Sequence, residues 1–280
     1  MRLLRKFWRK WRDDQSSRQG AALAFYGLFT LAPVMVLLSQ ATGLLDGWIL
    51  LDTASPAMDS LIPETLIPAT KELTASTQRI SGSSYLVTIA LLFYSPFRGF
   101  LHLQATLNSM WGIRAIRQPG AKGVVIRKLL AYGTVGTTLL LMFAALLTDA
   151  VLQLGLPGGA LMHFFTRFAL LFSLIAALFW SLPDAKVGWR PLATGALFSA
   201  SVLLTSRSLI SLYLEGSTRI AVFGPAGTVV GLLVFAYISA QILLAGAVVV
   251  YIAAEEWDQP IQPGRHAVGI TVVRQPNDAV

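Results

Sequence analysis

The sequence predicts an all-α, polytopic membrane protein with six transmembrane helices and an amphipathic helix at its N-terminus. Composition is the first reason, because 55% of the 280 residues are hydrophobic and only 13% are charged. A soluble domain usually carries about 25% charged residues, so this chain has too few to cover a water-facing surface. Long apolar stretches are the second reason, and a one-sided distribution of Lys and Arg is the third. A soluble domain and a disordered chain are disfavoured, as is a disulfide scaffold, because the chain has no Cys.

Six stretches of the chain are apolar over the roughly 20 residues that a helix needs to cross the hydrocarbon core. Their bounds are 20–45, 84–107, 129–154, 160–182, 191–214 and 226–253. They are continuously apolar, whereas the strands of a membrane barrel alternate apolar and polar positions. Since a spanning segment must satisfy its own backbone hydrogen bonds, all six are predicted as helices. The first exceeds the apolar core of about 7–15 residues that is typical of a cleavable signal, so it is predicted as a span.

The spans divide the chain into three regions. Residues 1–19 are predicted as a cytoplasmic, basic amphipathic helix, because apolar residues recur among the cations at the spacing of helices that lie in the head-group plane. These apolar residues are Leu3, Leu4, Phe7, Trp8 and Trp11. Residues 20–254 form the membrane domain, with an outer loop at 46–82 that could be a lid or a docking surface. Residues 255–280 are predicted as a mostly disordered cytoplasmic tail, because Pro residues are spaced among polar ones.

The distribution of Lys and Arg predicts that both termini lie in the cytoplasm. Sixteen cations fall in the N-terminal segment, the loops after the second and fourth spans, and the tail, whereas three fall in the opposite loops. Cytoplasmic loops carry such an excess. The net charge of +8 is then explained by attraction to anionic lipid head groups, which are the predicted partners. No nucleic-acid partner is expected, because a basic stripe interleaved with aromatic residues on a soluble fold is missing.

Polar residues at membrane depth usually face the interior of a helix bundle or a water-filled cavity. In the second span, Arg98 and His102 are four residues apart and therefore share a helix face. Asn108 follows at the inner end of the same helix. Two interpretations stay open for this group. It forms a pocket for an anionic head group or an ion, or Arg98 snorkels to the interface while Asn108 caps an inner loop.

Arg207 is the most informative single charge, because it lies well inside the fifth span. On the sixth span, Tyr237 and Gln241 stand one turn apart near mid-membrane. The two spans are antiparallel, so the three residues are expected at similar depth, where they either line a polar cavity or form a packing network without a ligand. Near the outer ends of the third and fourth spans, Asp149 and Arg167 are predicted to form a structural ion pair.

No constellation of catalytic residues is recognisable in the sequence. The three histidines, His102, His163 and His266, are predicted at the inner half, the outer end and the tail, so they do not converge on one metal. The chain has no Gly-rich phosphate loop followed by Lys. We therefore expect a protein that is not an enzyme and that has no cofactor and no metal.

Four motifs resemble the YihY/BrkB family of bacterial inner-membrane proteins. The first span, GAALAFYGLFTLAPVMVLL, is similar to the family's pattern of small, aromatic and proline residues, and ATLNSMWG at 105–112 resembles its Leu-Asn-x-x-Trp-Gly signature. The stretch LPDAKVGWRPLATGAL at 182–197 and the sixth span, FGPAGTVVGLLVFAYISAQILLAGA, are similar as well. Two departures stand out: Val248 occupies a position where the family often has Glu, and Asp184 one where it often has Asn.

The resemblance implies a six-helix protein of the bacterial cytoplasmic membrane that is linked to envelope integrity and to lipid or solute export. Together with the buried polar residues, it favours a transporter or binder of an anionic amphiphile, such as a phospholipid or a lipid A precursor. A non-transporting envelope scaffold is the alternative, and a membrane-embedded hydrolase is a third. A homo-oligomer is a further possibility, because the sequence pattern does not indicate the oligomeric state.

Overall fold

The structure is a computed structural model, and it describes residues 1–28, 98–115, 160–215, 225–264 and 267–269. Helices dominate this part of the chain, in the order α1 (Arg2–Asp13), α2 (16–28), α3 (98–110), α4 (Ala160–Ser181), α5 (Trp189–Glu215) and α6 (Pro225–Glu256). Short strands lie between and after the helices: β1 (Ile113–Ala115), β2 (Ala185–Lys186), β3 (Gln262–Pro263) and β4 (Ala267–Gly269). The described chain is thus mostly helical, in agreement with the predicted class.

The helices coincide with the predicted spans where both are described. The fourth, fifth and sixth spans correspond to α4, α5 and α6 within a few residues at each end. Two segments of the described chain, Phe164–Ser181 and Val230–Glu256, are long and apolar enough to cross a membrane. The third predicted span and the outer loop at 46–82 lie outside the described residues.

The outer surfaces of α4, α5 and α6 carry large apolar side chains that face away from the protein. They are Phe164, Phe165, Trp180, Leu197, Phe198, Val230 and Leu233. Soluble monomers rarely expose apolar patches larger than a few hundred Å². In a bilayer the exposure of such side chains costs no free energy, because lipid tails are as apolar as Leu. The surface is therefore the kind expected for membrane-embedded helices.

Helices α5 and α6 approach each other most closely at two facing glycines. A Cβ atom added to Gly195 would lie 2.6 Å from the carbonyl oxygen of Gly246, and one added to Gly246 would lie 3.0 Å from the carbonyl oxygen of Gly195. Small and β-branched residues complete this contact, with Ala196, Ala200, Ala247, Val248 and Val250 at 2% exposure or less. Small residues permit this approach in membrane helices.

Helix α3 ends in a turn that depends on the Leu-Asn-x-x-Trp-Gly signature. Gly112 adopts φ 69°, a left-handed conformation that ends helices without a Cβ penalty, and its amide donates to the carbonyl of Ser109 at 3.1 Å. Trp111 is 3% exposed, and its indole Nε1 donates to the carbonyl of Ala247 in α6 at 3.0 Å. The signature thus anchors the end of α3 against α6 and directs the chain into β1.

The C-terminal tail is paired with the two segments that follow α3 and α4. Strand β4 runs antiparallel to β1, with Arg114 opposite Val268, and β3 runs antiparallel to β2, with Lys186 opposite Gln262. The expectation of a mostly disordered tail is therefore wrong for 262–263 and 267–269. Backbone pairing with edges that the loops offer outweighs the polar, Pro-rich composition from which disorder was inferred. Residues 270–280 lie outside the described residues.

Helix α1 is present, as predicted from its amphipathic pattern, and it packs on the C-terminal end of α6. The Lys6 ammonium lies 2.5 Å from a carboxylate oxygen of Glu256, and that of Lys10 lies 4.2 Å from the ring centroid of Tyr251. Phe7 and Trp11 pack against the hydrophobic core. The other members of the predicted stripe, Leu3, Leu4 and Trp8, are more than half exposed. One part of the apolar stripe of α1 therefore packs on the protein, and the other part is exposed.

Candidate functional site

A polar cluster lies where α2 contacts both α3 and the middle of α6. Gln241 of α6 donates a hydrogen bond from Nε2 to the carbonyl oxygen of Ser17 in α2 at 3.1 Å. Gly20 permits this contact, because a Cβ atom there would lie 2.8 Å from the amide carbon of Gln241. A helix rises about 1.5 Å per residue, so Gln241 stands roughly 22 Å from the end of α6 at Glu256. The cluster is therefore deep along an otherwise apolar helix.

The α3 side of the cluster is built around His102. Its imidazole has a hydrogen-bond partner in the backbone of Gln19, and its ring centroid lies 5.5 Å from that of Tyr26. One turn further along α3, the Thr106 hydroxyl lies 2.9 Å from the carbonyl oxygen of His102 and 3.3 Å from Oε1 of Gln19. Helix α2 thus contacts the imidazole through both Gln19 and Tyr26. We use the name polar cluster for Gln19, His102, Thr106 and Gln241.

Two buried atoms of the polar cluster have no hydrogen-bond partner among the described residues. They are Nε2 of His102 and Oε1 of Gln241. A buried polar group left unpaired costs about 1–3 kcal/mol, so such groups call for a specific explanation. The amide oxygen is an acceptor only, and a neutral imidazole whose other nitrogen donates to a backbone carbonyl accepts at Nε2. The pair can therefore receive hydrogen bonds from a hydroxyl, an ammonium or a water.

Three other residues predicted for the site lie on α3 and α6. Arg98 lies on α3, one turn before His102. Tyr237 is 37% exposed and stands one turn before Gln241 on α6. Asn108 is 6% exposed and serves a different contact, because its Oδ1 accepts from the amide of Asp184 at 2.8 Å while its Nδ2 donates to Oδ2 of that residue at 3.0 Å. Asn108 therefore clamps the α4–α5 loop.

The remaining predicted site residues lie partly or wholly outside what the structure describes. Arg207 belongs to α5 and His163 to α4, but their side chains are outside the described part. Arg167 lies in α4, whereas Asp149 falls outside the described residues. The Asp149–Arg167 ion pair and the place of Arg207 beside Tyr237 and Gln241 stay predictions.

Sequence reasoning overlooked the contribution of α2. Ser17 and Gln19 precede the first predicted span, so they were assigned to the basic cytoplasmic segment. The described helix begins at residue 16, and this early start carries both residues to the polar cluster. The signal available was the run of small residues at Gly20, Ala21 and Ala22, which is typical of close helix approach. Among the described residues, no group of His, Asp and Glu side chains could hold a metal ion.

Comparisons with known proteins agree with these structural features. The model of the family described as Virulence factor BrkB matches residues 7–271. A UPF0761 membrane protein of Delftia acidovorans is 26% identical over 256 residues, which cover 86% of this chain and 59% of that relative. One of Methylibium petroleiphilum is 26% identical over 280 residues, covering 96% of this chain and 63% of the relative.

A third relative, from Verminephrobacter eiseniae, is also named UPF0761 membrane protein and is 27% identical over 227 residues, 79% of this chain and 52% of its own length. The chain thus spans less than two thirds of the length of these relatives. No solved structure matches it. Because the family model covers nearly all of the described helices and the relatives are named membrane proteins, this chain belongs to the BrkB family of membrane proteins, as its four motifs predict.

Proposed function

We propose that this chain is an integral protein of the bacterial cytoplasmic membrane that binds and moves an anionic amphiphile, a phospholipid or a lipid A precursor, in support of envelope integrity. It crosses the membrane six times, keeps both termini in the cytoplasm and performs no covalent chemistry. The polar cluster carries the proposal, because it offers two buried acceptor atoms, one of which belongs to the middle of an apolar helix.

The chemistry of the polar cluster fits an amphiphile with hydroxyl groups on its head. Nε2 of His102 and Oε1 of Gln241 can each accept from a hydroxyl, which removes the cost of leaving them unpaired. Arg98, one turn away on α3, supplies positive charge toward a phosphate. The acyl chains of such a ligand need no protein pocket, because the apolar surfaces of α4 and α6 face the bilayer in this arrangement. A small hydrophilic solute would gain less from such a location.

The proposed threading is supported by the location of charge. Sixteen of the 22 Lys and Arg residues fall on the side that the threading places in the cytoplasm. The Trp111 anchor, the paired loops and the tail all lie on that same side in the proposal. This inner side is therefore a packed base, whereas the polar cluster lies deeper along α6.

The proposal is tested by comparing the lipids that purified variants retain. We would extract the protein into lipid nanodiscs and quantify anionic lipids by mass spectrometry, then measure lipid movement across vesicles that contain the protein. His102→Leu and Gln241→Leu remove the acceptor atoms, and Arg207→Ala removes the cation predicted at similar depth. We expect the two Leu variants to lose the enrichment of anionic lipid and to slow movement by about tenfold or more, as loss of a buried hydrogen-bonding group implies.

Gln104→Leu is the matched control, because Gln104 lies on the same helix as His102 but reaches toward Asp184 at 3.5 Å. It should retain the wild-type lipid content. Equal enrichment and equal movement in His102→Leu, Gln241→Leu and the wild type would reject the site. A protein that moves no lipid in any form, yet is required for an intact envelope, would favour the scaffold alternative.

A further inference from the structure

An apolar groove opens at the end of α4, away from the polar cluster. Its volume is about 270 Å³. Residues of α4, of the following loop and of the start of α5 line it: Ala176, Ala177, Trp180, Val187, Trp189 and Leu192. Ligand pockets are usually about 300–1,000 Å³, so this groove has room for part of a ligand, such as one acyl chain. We call it the tryptophan groove.

Two exposed indoles flank the tryptophan groove. Trp180 is 73% exposed and Trp189 is 68% exposed, although the floor beneath them, at Ala176 and Leu192, is buried. Trp is enriched at the level where a membrane helix leaves the hydrocarbon core, because its ring is amphipathic. The apolar segment Phe164–Ser181 ends one residue after Trp180. The tryptophan groove therefore lies at a membrane interface, where lipid chains meet head groups.

Exposed cations border the tryptophan groove on the polar side. Lys186 directly precedes Val187 in the groove wall, and Arg190 directly follows Trp189, and both side chains are exposed. The nearby carboxylate of Asp184 is occupied by Asn108, which donates to it at 3.0 Å. The groove thus combines an apolar floor with two positive charges at its rim. An anionic lipid has the complementary distribution, with an apolar chain below a negative phosphate.

We propose that the tryptophan groove binds an anionic phospholipid of the phosphatidylglycerol class, with one acyl chain against Ala177 and Leu192 and the phosphate beside Lys186 and Arg190. The lipid packs between the indoles of Trp180 and Trp189. This site is separate from the polar cluster and requires only that α4 spans the membrane. It holds whether or not the protein moves lipids.

The test is a lipid titration followed by native mass spectrometry on the full-length protein in detergent. Phosphatidylglycerol and phosphatidylcholine of identical chain length are the two probes. The wild type is expected to bind phosphatidylglycerol more tightly. The double variant Lys186→Gln/Arg190→Gln should bind it about thirtyfold more weakly, since each cation near an anionic surface contributes roughly a factor of five. Its affinity for phosphatidylcholine should not change.

Ala177→Phe tests the apolar part, because its ring would fill the groove and weaken the binding of both lipids. The charge-matched comparison is Arg5→Gln/Arg12→Gln, which removes two exposed cations of α1 and should weaken phosphatidylglycerol binding less than the groove variant does. An equal loss in the two double variants would overturn the groove as the site. Unchanged phosphatidylglycerol affinity in either groove variant would overturn the proposal. The two groove variants leave His102 and Gln241 in place and should move lipid across vesicles like the wild type, so a failure of the polar cluster and a failure of the tryptophan groove give different results.

Discussion

The contact between α5 and α6 makes a sharp prediction for Gly195→Ala. An added Cβ atom would lie 2.6 Å from the carbonyl oxygen of Gly246 and 3.3 Å from the amide nitrogen of Val250, whereas ordinary van der Waals contact begins at 3.4 Å. The first distance is 0.8 Å too short. Both neighbours are backbone atoms, so no change of rotamer relieves the clash. The two helices must separate, or the backbone of one must bend.

The size of the effect follows from two opposing contributions to the free energy of unfolding. Overpacking in a tight core costs about 1–3 kcal/mol, and separating the helices also loosens the contacts of Ala196, Ala200 and Ala247, which are fully buried. Ala is favoured over Gly in a helix by about 1 kcal/mol. Gly27→Ala in α2 gains the helix propensity of Ala without any overpacking, because nothing lies within 4 Å of its added Cβ. The two variants should therefore differ by about 1–3 kcal/mol.

Thermal unfolding of the purified protein in detergent measures this difference. A change of 1 kcal/mol shifts Tm by about 2–4 °C in proteins of roughly this size, so Gly195→Ala should melt about 2–12 °C below Gly27→Ala. Gly246→Ala should lose less than Gly195→Ala, because one of its neighbours is the rotatable Ser199 hydroxyl. A Gly195→Ala protein that melts at or above the temperature of Gly27→Ala would refute the close approach of α5 and α6.

Two further predictions use the same unfolding assay. Asn108→Ala removes both hydrogen bonds to Asp184 and should lower the free energy of unfolding by about 1–3 kcal/mol. Asp184→Asn retains an acceptor for Nδ2 of Asn108 and should lower it by less than about 1 kcal/mol. Similar losses in the two variants would contradict the clamp. The hydrogen bond with Glu256 raises the pKa of Lys6 above its ordinary value of 10.5. The ion pair therefore contributes stability below that value and loses it as pH rises through the raised pKa. Lys6→Gln should accordingly melt slightly below the wild type at neutral pH, and a gap that persists above the raised pKa would exclude the ion pair as its cause.

The helices could be predicted from the sequence because their signal is long and local. Continuous apolar runs located α4, α5 and α6 within a few residues at each end. The tail could not be predicted, because β3 and β4 contain only two and three residues. Their pairing depends on partners far away in the chain, and no local propensity reveals such partners.

The polar cluster was only partly accessible to sequence reasoning. His102 and Gln241 were predicted because polar residues in apolar runs are conspicuous. Ser17 and Gln19 were missed, because the first apolar run begins at residue 20 and the residues before it were assigned to the basic cytoplasmic segment. Asn108 was predicted as a site residue because it stands on the same helix as Arg98 and His102, with a loop cap as the alternative. Its hydrogen bonds to Asp184 favour the structural role. A place on the same polar helix does not by itself distinguish a ligand contact from a clamp.

The pairing of β1 with β4 imposes an order on folding during synthesis. Arg114 and Val268 face each other across 154 positions of the sequence, so the ribosome must add all of those residues after β1 before this contact forms. Until then the backbone edge of β1 has no partner in β4. A nascent chain that stalls before residue 267 would therefore leave this edge unpaired, and the unpaired edge would distinguish it from a chain in which β4 has formed.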